Sequence, residues 1–431
     1  MRIHLKTLGC RLNEAELESW ASDFNARGHQ VVNDVCSADI LVINTCAVTQ
    51  NAVRKSRQLV RKAHKKNPKA KLVISGCYAT LNENEATAID GVDLLINNAQ
   101  KDKLVELTLK QLNTDVMPTI ATEPGEIALF SRGRQRAFIK VQDGCRYRCT
   151  FCIVTIARGE EKSKLVDDII NEINLAHESG IKEIIVTGVH LGGYGSDTNS
   201  NLYELIHSIL EQTNVPRIRM GSLEPWDLPE NFFSLFSNDR LLPHMHLPIQ
   251  SGSDSVLRRM ARRCKTDEFR QLAINAKKLI PNLNITTDII VGFPGETDEE
   301  WQQTLDFVAE MQFANVHIFT YSKREGTKAA GLINQVDEKI KKARSQALHK
   351  LVEGMKYLNI EQMIGQETSI LWEDKLVKHD SKRNSYLGYT ANYTRVKTTT
   401  DVSIELTNHI TINKIVAIED GMPYVEINTN P

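Results

Sequence analysis

Long hydrophobic runs and an excess of charge of one sign are both missing from this chain of 431 residues. No apolar stretch approaches the roughly 18 residues that a membrane-spanning helix needs, and the segment from Met1 to Lys6 is not typical of a secretory signal. The sequence therefore predicts a cytoplasmic protein without a membrane partner. Because 53 Lys and Arg balance 54 Asp and Glu, a nucleic-acid partner would have to be held by local patches of charge.

A fourth cysteine is missing from the most informative segment of the chain. Cys145, Cys149 and Cys152 follow a C-x3-C-x2-C spacing, and the next cysteine is Cys264. Iron–sulfur clusters are normally held by four thiolates, so three thiolates on one short loop favour a four-iron cluster with one iron open to a ligand that is not protein. Zinc sites usually combine two C-x2-C pairs, or one such pair with distant histidines. A zinc site that lacks one ligand and a set of three unrelated thiols are the alternatives.

Residues 1–115 alternate strand-like and helix-like runs, which predicts a parallel α/β domain. The predicted strands are Ile3–Leu8, Asp39–Thr45, Lys71–Ser75 and Asp93–Asn97, and the first helix runs from Asn13 to Arg27 with Asn13 as its cap. Cys10, Cys46 and Cys77 each follow a strand, and the carboxyl ends of parallel strands share one edge of a sheet. The sequence therefore predicts a second site with three thiolates at that edge, although free cysteines are also common in strand–helix packing.

A polar segment rich in Pro and Gly predicts a linker over residues 116–136, after which the β/α alternation resumes over 137–364. Its strands are expected at Phe138–Val141, Glu183–Thr187, Arg217–Gly221, His244–Ile249, Ile285–Val291 and Val316–Tyr321, and an exit helix at Val336–Ile364. Six such rounds predict a curved six-stranded (β/α)6 partial barrel. The cysteine loop then follows the first strand, at the C-terminal face where barrel enzymes carry their chemistry.

Short β-rich runs with turn signals predict a small five-stranded, OB-like β-barrel over residues 365–431. The runs are Ser369–Trp372, Tyr386–Thr398, Val402–Leu406, Ile410–Ile418 and Tyr424–Ile427. Tyr389, Tyr393, Arg395 and Lys397 are expected to alternate on one strand, which suits base stacking and phosphate contact in RNA. A solvated strand face would have a similar pattern.

Several short motifs of this chain resemble those of a known family of enzymes. Asp143-Gly144-Cys145 to Cys152, with Phe151 before the last cysteine, resembles the signature of radical S-adenosylmethionine enzymes, whose open iron binds S-adenosylmethionine and yields a 5′-deoxyadenosyl radical. Over all three segments the chain is similar to the methylthiotransferases of that superfamily. The further motifs that carry the likeness are Leu8-Gly9-Cys10, Asn44-Thr45-Cys46, Ser75-Gly76-Cys77, Ala157-Arg158-Gly159, His246 to Ser253 and Asp288 to Thr297.

The resemblance implies two [4Fe–4S] clusters, an auxiliary one on Cys10, Cys46 and Cys77 and a radical one on the barrel cysteines. It also implies an RNA-binding TRAM module in the C-terminal barrel. Residues expected to contact S-adenosylmethionine lie on the cysteine loop or at strand ends: Phe151, Thr187, Gly188, Glu224, Gln250 and Ser251. Of these, Glu224 is the candidate for the ribose hydroxyls, and Gln250 with Ser251 for the methionine part.

Within the family, Ala47-Val48-Thr49, Lys55-Ser56-Arg57 and the segment from Gly388 to Tyr393 are most similar to the branch that acts on N6-threonylcarbamoyladenosine 37 of tRNA. That likeness implies the anticodon stem-loop as substrate, an electron donor such as flavodoxin or ferredoxin, and no DNA partner. Branches acting on isopentenyladenosine 37 or on an aspartate of a ribosomal protein are the alternatives. Departures from the family pattern occur near the active-site mouth at Thr155, Ile156, Lys323, Glu325 and Lys328.

Some features of the sequence remain open. Two basic runs, one from Arg54 to Lys71 and one from Arg258 to Lys265, could contact phosphates or be solvated helix faces. Cys36 and Cys264 are expected not to be ligands, and His190 could face the pocket or be structural. Two other classes of protein remain as alternatives: an electron carrier, which would need four thiolates per cluster, and an RNA-binding protein with structural clusters.

Overall fold

The structure is a computed structural model that describes residues 1–112, 135–380 and 383–427. It contains an N-terminal α/β domain, a partial β/α barrel and a C-terminal closed β-barrel. The predicted linker over residues 116–136 lies outside the described residues except for its last two positions, and Arg136 already belongs to the first barrel strand. Within the described ranges, no helix is both long enough and apolar enough to cross a membrane.

The N-terminal domain is a five-stranded parallel sheet in the order β2-β1-β3-β4-β5. Its strands are β1 (Arg2–Thr7), β2 (Gln30–Val31), β3 (Ile40–Thr45), β4 (Lys71–Gly76) and β5 (Val92–Ile96). Its helices are α1 (Arg11–Ala26), α2 (Gln50–Lys66), α3 (Cys77–Leu81), α4 (Glu83–Thr87) and α5 (Leu104–Gln111). The two faces of the sheet pack into two separate apolar cores. The predicted parallel α/β domain is therefore confirmed.

One prediction for this domain is wrong. Helix α1 begins at Arg11, and its N-cap is Cys10, three residues before the expected cap at Asn13. The Asn13 side chain lies in the first turn, where its amide donates to the carbonyl oxygen of Leu8 at 3.0 Å. Asn13 therefore ties the helix to the end of β1, and Cys10 takes the position at the sheet edge.

The central part is a curved row of six parallel strands formed by two three-stranded halves. The strands and the short antiparallel pair β7–β8 are β6 (Arg136–Lys140), β7 (Gln142–Asp143), β8 (Lys162–Ser163), β9 (Glu183–Thr187), β10 (Arg217–Met220), β11 (His244–His246), β12 (Asn284–Val291) and β13 (Asn315–Thr320). Single parallel bridges, Ile218 with Leu241 and Ser222 with His246, join the half β6-β9-β10 to the half β11-β12-β13. The predicted six-stranded partial barrel is confirmed.

Seven helices belong to this part of the chain. They are α6 (Val154–Arg158), α7 (Val166–Glu178), α8 (Leu202–Gln212), α9 (Asp254–Arg259), α10 (Thr266–Leu279), α11 (Asp298–Met311) and α12 (Glu338–Glu361). Six of them pack around the barrel, and the short α6 contacts α3 of the N-terminal domain. Helix and strand side chains form one large apolar core, in which the rings of Phe269, Phe307 and Phe313 meet at centroid distances of 5.8 to 6.3 Å. Truncating one of these rings to Ala costs about 3–5 kcal/mol in a packed core, so the barrel is a rigid frame for its loops.

The C-terminal part is a closed five-stranded barrel in the order β14-β15-β16-β18-β17, as predicted. Its strands are β14 (Glu367–Asp380), β15 (Arg383–Thr390), β16 (Arg395–Asp401), β17 (Ile410–Glu419) and β18 (Met422–Glu426). The single strand expected at Tyr386–Thr398 is wrong, because a turn at 391–394 divides it into β15 and β16. The strand expected at Val402–Leu406 is wrong as well: that segment is an irregular connection that inserts Leu406 into the barrel core.

Candidate functional site

A tight backbone turn shapes the loop that carries Cys145, Cys149 and Cys152. Gly144 has a φ of +74°, and a Cβ at this position would lie 1.9 Å from the carbonyl oxygen of Glu160. The amide of Cys145 donates to the carbonyl of Gly159 at 3.1 Å, and the amide of Cys152 donates to that of Cys149 at 3.0 Å. The loop is therefore closed on itself at both ends, directly after β6 and β7.

The three thiols of this loop lie within electrostatic reach of one another. Burial raises the pKa of Cys145 to about 12 and that of Cys152 to about 11, and the neighbouring thiolates act in the same direction. One guanidinium nitrogen of Arg262 lies 3.7 Å from the sulfur of Cys149. With these raised pKa values, Cys145 and Cys152 stay protonated at neutral pH until a metal displaces their protons. The donor set suits a soft, thiophilic metal centre.

A second trio of thiols lies at the carboxyl edge of the N-terminal sheet. Cys10 caps α1 after β1, Cys46 follows β3, and Cys77 opens α3 after β4. Burial raises the pKa of Cys46 to about 11, with further contributions in the same direction from Cys77 and Cys10. A Cβ on Gly9 would lie 2.9 Å from the Cβ of Cys46, so only glycine allows these two strand ends to approach. The structure thus brings together three residues that are far apart in sequence.

A buried ionic network joins this second trio to the barrel. Arg158, on α6, donates to Glu16 at 2.8 Å, to Asp143 at 3.0 Å and to Asn13 at 2.9 Å. The ammonium of Lys101 lies 2.6 Å from Glu16. These cations hold the pKa values of the Glu16 and Asp143 carboxyls below their ordinary values, against the effect of burial. Sequence reasoning missed Glu16 and Lys101, since they are 85 residues apart and Arg158 is 142 residues from Glu16.

A second buried cation, Arg324, approaches the trio from the loop after β13. Only 8% of the residue is exposed, and burial lowers the pKa of Arg324 while the Cys46 thiolate opposes that shift. The loop is tied to α2, where the amide of Gln50 donates to Ser322 Oγ and its side chain donates to the carbonyl of Lys323, both at 3.2 Å. The barrel therefore contributes two arginines beside cysteines that all belong to the N-terminal domain.

The trio formed by Cys10, Cys46 and Cys77 opens into a cavity of about 1360 Å³ that continues through the barrel interior. Within it, His246 Nε2 lies 3.2 Å from Asp288 Oδ1, and His317 Nδ1 lies 3.6 Å from the same oxygen. Sequence analysis did not single out this cluster as a site. The cluster could have been found from the sequence, because His246, Asp288 and His317 occupy inward-facing positions of β11, β12 and β13.

Some of the residues predicted to contact S-adenosylmethionine line the cavity, and others lie outside its wall. Thr187, Gly188 and Gln250 line the cavity, and Gln250 has a φ of +85°. The Ser251 hydroxyl is fully buried and lies 3.2 Å from Thr304 Oγ1. Burial raises the pKa of the Glu224 carboxyl. A cofactor contact from any of these residues remains a prediction.

Phe151, on the cysteine loop, and His190, near it, both make contacts within the protein, and a cofactor contact from Phe151 remains a prediction. Phe151 contacts a small apolar cluster that includes Met260 and Phe293. His190 is fully buried, with Nδ1 against Glu161 and Nε2 at 2.7 Å from Asp227 Oδ2. Among the two possibilities left open for His190, this placement favours the structural one.

The residues predicted to bind RNA lie at a junction between domains. The rings of Tyr389 and Tyr393 stack at 4.9 Å, Arg136 lies 4.7 Å above Tyr389, and the Tyr393 hydroxyl accepts from Arg11 at 3.0 Å. The four residues do not share one strand: Tyr389 is on β15, Tyr393 is in the turn, and Arg395 and Lys397 are on β16. RNA contact by these residues remains a prediction.

The structure also places the second basic run and the two cysteines that belong to neither trio. In the second basic run, Arg259 pairs with Glu300 at 2.6 Å, Arg262 lies over the Trp226 ring, and Arg263 lies over the Tyr147 ring. Most of that run is therefore used inside the protein. Cys36 is exposed, and Cys264 is buried with its sulfur 3.3 Å from the carbonyl of Lys265.

Comparison with known families agrees with this architecture. Residues 139–308 match the Radical SAM superfamily, and residues 2–97 match a family described as uncharacterized protein family UPF0004. Among solved structures, the radical S-adenosylmethionine methyltransferase TsrM from Kitasatospora setae superposes with a TM-score of 0.57 at 14% identity, covering 76% of this chain and 77% of that one. That likeness concerns the fold alone. Residues 139–308 thus form a radical S-adenosylmethionine domain, a class that implies a [4Fe–4S] cluster and S-adenosylmethionine.

Similar proteins with assigned functions show to which family of radical S-adenosylmethionine enzymes the chain belongs. The threonylcarbamoyladenosine tRNA methylthiotransferase MtaB of Bacillus subtilis is 35% identical over 97% of this chain and 94% of its own length, and MtaB of Thermotoga maritima is 35% identical over 87% of each. A tRNA-2-methylthio-N(6)-dimethylallyladenosine synthase of Staphylococcus haemolyticus is 30% identical over 95% of this chain and 84% of its own length. The chain belongs to the radical S-adenosylmethionine methylthiotransferase family, as its motifs predict.

Proposed function

We propose that this enzyme inserts a methylthio group at C2 of N6-threonylcarbamoyladenosine 37 in tRNA, with two [4Fe–4S] clusters and S-adenosylmethionine as cofactors. The observation that carries the proposal is the pair of three-thiol sites, one on the barrel loop and one on the sheet edge that faces the barrel cavity. The relatives named for threonylcarbamoyladenosine match the chain at 33–35% identity.

The residues at both sites fit the implied clusters. Each site offers three thiols, one fewer than the irons of a four-iron cluster, so each leaves one iron for a ligand that is not protein. The Arg262 guanidinium lies beside Cys149, and Arg158 acts electrostatically on the thiols of Cys10 and Cys46. These cations would offset the negative charge of thiolates and sulfides in a buried site.

The reaction needs a radical because C2 of adenine carries a hydrogen that is not acidic. When bound, the barrel cluster and S-adenosylmethionine supply a carbon radical that can remove such a hydrogen. The protein's part is to position the cofactor and the base and to exclude water. We assign cofactor binding to Thr187, Gly188 and Gln250, which line the cavity, with an electron donated by flavodoxin or ferredoxin.

The charge of the cavity favours the threonylcarbamoyl substituent over an isopentenyl group. The substituent of threonylcarbamoyladenosine carries a carboxylate, whereas isopentenyl is apolar. Arg158 in the cavity wall is already paired with Glu16 and Asp143. The other cations of the wall still outnumber the acids Glu14 and Asp288, and they are Arg11, Lys277, Lys356 and Arg395. Nearby cations stabilise a bound carboxylate electrostatically, whereas they do not stabilise an apolar group.

Mass spectrometry of tRNA nucleosides tests the proposal. A strain that lacks its own methylthiotransferases would express this chain or its Cys10→Ala variant. We expect 2-methylthio-N6-threonylcarbamoyladenosine with the wild-type chain and none with the variant. Methylthiolation of isopentenyladenosine instead would overturn the substrate assignment. The absence of any methylthiolated nucleoside, with the protein soluble and loaded with iron, would leave RNA binding without catalysis as the better description.

A further inference from the structure

One face of helix α2 carries six exposed cations. We name it the α2 stripe; its members are Arg54, Lys55, Arg61, Lys62, Lys65 and Lys66, all exposed. At 3.6 residues per turn they fall within about 140° of the helix circumference. The buried residues of the helix, Val53, Ser56 and Val60, lie on the other side. The six cations therefore share the solvent-exposed face of the helix.

Contacts within the protein do not account for the stripe. In the described part of the chain, its one ion pair is Lys66 with Asp34, at the limiting distance of 4.0 Å. Arg54 donates to the uncharged side chain of Asn51 at 3.1 Å. By contrast, Arg57 points away from the stripe and pairs with Glu85 at 3.3 Å.

The stability of the helix does not account for the stripe either. Arg61 with Lys65, and Lys62 with Lys66, are like charges four residues apart, a spacing that destabilises a helix. The helix macrodipole favours cations in the last turn, where Lys65 and Lys66 lie, but not toward the N-terminal end, where Arg54 lies. A polyanion bound along the stripe would relieve this repulsion.

The N-terminal end of the stripe lies near a solvent-exposed entrance to the cavity, because Val48 both lines the cavity and is 45% exposed. Helix α2 starts at Gln50, and the two residues before it, Val48 and Thr49, belong to the cavity wall together with Cys46. With 17 residues in α2 and a rise of about 1.5 Å per residue, the helix extends about 25 Å away from this entrance. A long anion lying on the stripe would thus pass the opening that leads to the sheet-edge cysteines.

We propose that the α2 stripe binds the sugar–phosphate backbone of the RNA whose target base enters the cavity. The inference rests on the proposed function for the identity of the RNA, but not for the contact itself. Phosphate contacts of this kind fix position without reading sequence. Their strength depends on the release of counterions, so it falls steeply with salt concentration.

The test compares two triple variants of the full-length, cluster-loaded protein. The first is Arg61→Gln/Lys62→Gln/Lys65→Gln. The control, Lys339→Gln/Lys342→Gln/Lys350→Gln, removes three exposed cations from α12. Affinity for an unmodified anticodon stem-loop RNA is measured at several salt concentrations, together with S-adenosylmethionine cleavage in the absence of RNA.

We expect the stripe variant to bind RNA at least tenfold more weakly at low salt. Its plot of log affinity against log salt should flatten by about two to three units, since each phosphate contact contributes about 0.7–0.9. The α12 control should keep the wild-type slope, and Arg61→Lys/Lys62→Arg/Lys65→Arg should restore binding. Cleavage without RNA should be the same in all variants.

Two outcomes would overturn the inference: wild-type affinity and slope in the stripe variant, or an equal loss in the α12 control. Both are read from binding alone. Failure of the proposed function would instead appear as the absence of methylthiolation by the wild-type enzyme, whatever the binding data show.

Discussion

At the scale of single residues, Glu16 shows how a buried charge can join two domains. It lies on α1 of the N-terminal domain, is 3% exposed, and accepts hydrogen bonds from Arg158 of the barrel and from Lys101. Asn44 donates to its second oxygen at 3.0 Å. Removing one member of a buried ion pair leaves the others without compensation, at a cost of about 3–5 kcal/mol. The domain contact beside Cys10 and Cys77 therefore depends on this carboxylate.

The pH dependence of stability tests this role. The pKa of Glu16 in the folded protein lies well below the ordinary value because of Arg158 and Lys101. A carboxyl with a lowered folded pKa stabilises the protein above its unfolded pKa of about 4.3, and that stabilisation is lost as the pH falls further. We expect Glu16→Gln to lower the urea midpoint of the cluster-free protein at pH 7. The difference in urea midpoint between the variant and wild type should shrink as the pH falls from about 4.3 to about 3.

Thr87→Ala on the exposed face of α4 is a suitable control, because its hydroxyl bonds only to the carbonyls of Glu83 and Asn84 within the same helix. Its midpoint should stay near that of wild type at every pH. A Glu16→Gln gap that stays constant from pH 7 to pH 3 would show that the carboxylate does not stabilise the junction through its charge.

At the scale of elements, the sequence predicted most strands because a buried strand of a parallel sheet is a near-continuous apolar run. Strands such as β3 and β9 are buried along their whole length. The two-residue strand β2 is too short to leave such a signal. The turn at 391–394 was missed because its neighbours alternate like one strand. Its conformation depends on Thr390 Oγ1, which donates to Asn392 Oδ1 and accepts a hydrogen bond from the Thr394 amide.

The candidate site was predictable only in part, for a similar reason. Cys145, Cys149 and Cys152 are close in sequence, and Cys10, Cys46 and Cys77 follow strands whose ends share an edge. Both trios could therefore be found from spacing and topology. Their charged neighbours could not, because Arg158 and Arg324 reach the N-terminal cysteines from a different domain, and no local pattern marks such contacts.

Iron content tests the assignment of the two trios to different elements. The anaerobically reconstituted enzyme should hold about eight irons, from two four-iron clusters. Replacing Cys145, Cys149 and Cys152 with Ala should leave about half the iron, because the sheet-edge cysteines do not depend on the barrel loop. Full iron content in this variant would contradict the assignment of ligands.

The complementary variant separates the roles of the trios. Replacing Cys10, Cys46 and Cys77 with Ala should abolish methylthiolation and leave formation of 5′-deoxyadenosine, because the barrel loop keeps all three of its thiols. The Cys36→Ala control, at an exposed thiol apart from both trios, should keep both activities. Loss of both products in a folded triple variant would show that the two sites do not act independently.

At the scale of the whole molecule, the C-terminal barrel docks against the amino ends of the β/α-barrel strands. Arg217 and Arg219 on β10 are buried and share the carboxylate of Glu183 on β9, each through an Nε contact of 2.8 Å. Their remaining nitrogens donate to backbone carbonyls of the C-terminal barrel, including Thr390 at 3.1 Å and Ala391 at 3.0 Å. The turn that holds Tyr393 thus closes the end of the barrel opposite the cysteine loop.

The position of Tyr393 leads to a prediction about domain docking. Its ring lies 4.4 Å from the Arg219 guanidinium and 4.9 Å from the His244 ring. Tyr393→Ala should remove these contacts and increase hydrogen exchange in the turn at 391–394, whereas Tyr393→Phe should keep the ring contacts and most of the protection. If Tyr393 instead serves RNA alone, the Ala variant should lose RNA affinity, about tenfold for one stacked base, with wild-type exchange.

The salt dependence of RNA binding separates two cations of the C-terminal barrel. Arg395 is exposed, borders the cavity and has no ion pair within the described ranges, whereas Lys397 lies 2.6 Å from Asp420 and 3.2 Å from Glu419. A cation already neutralised by two carboxylates releases few counterions from RNA. We expect Arg395→Gln to flatten the plot of log affinity against log salt by about one unit and Lys397→Gln to leave its slope unchanged. Equal slopes for both variants and wild type would mean that this barrel makes no phosphate contact through β16, and that RNA is held elsewhere, with the α2 stripe as the first surface to test.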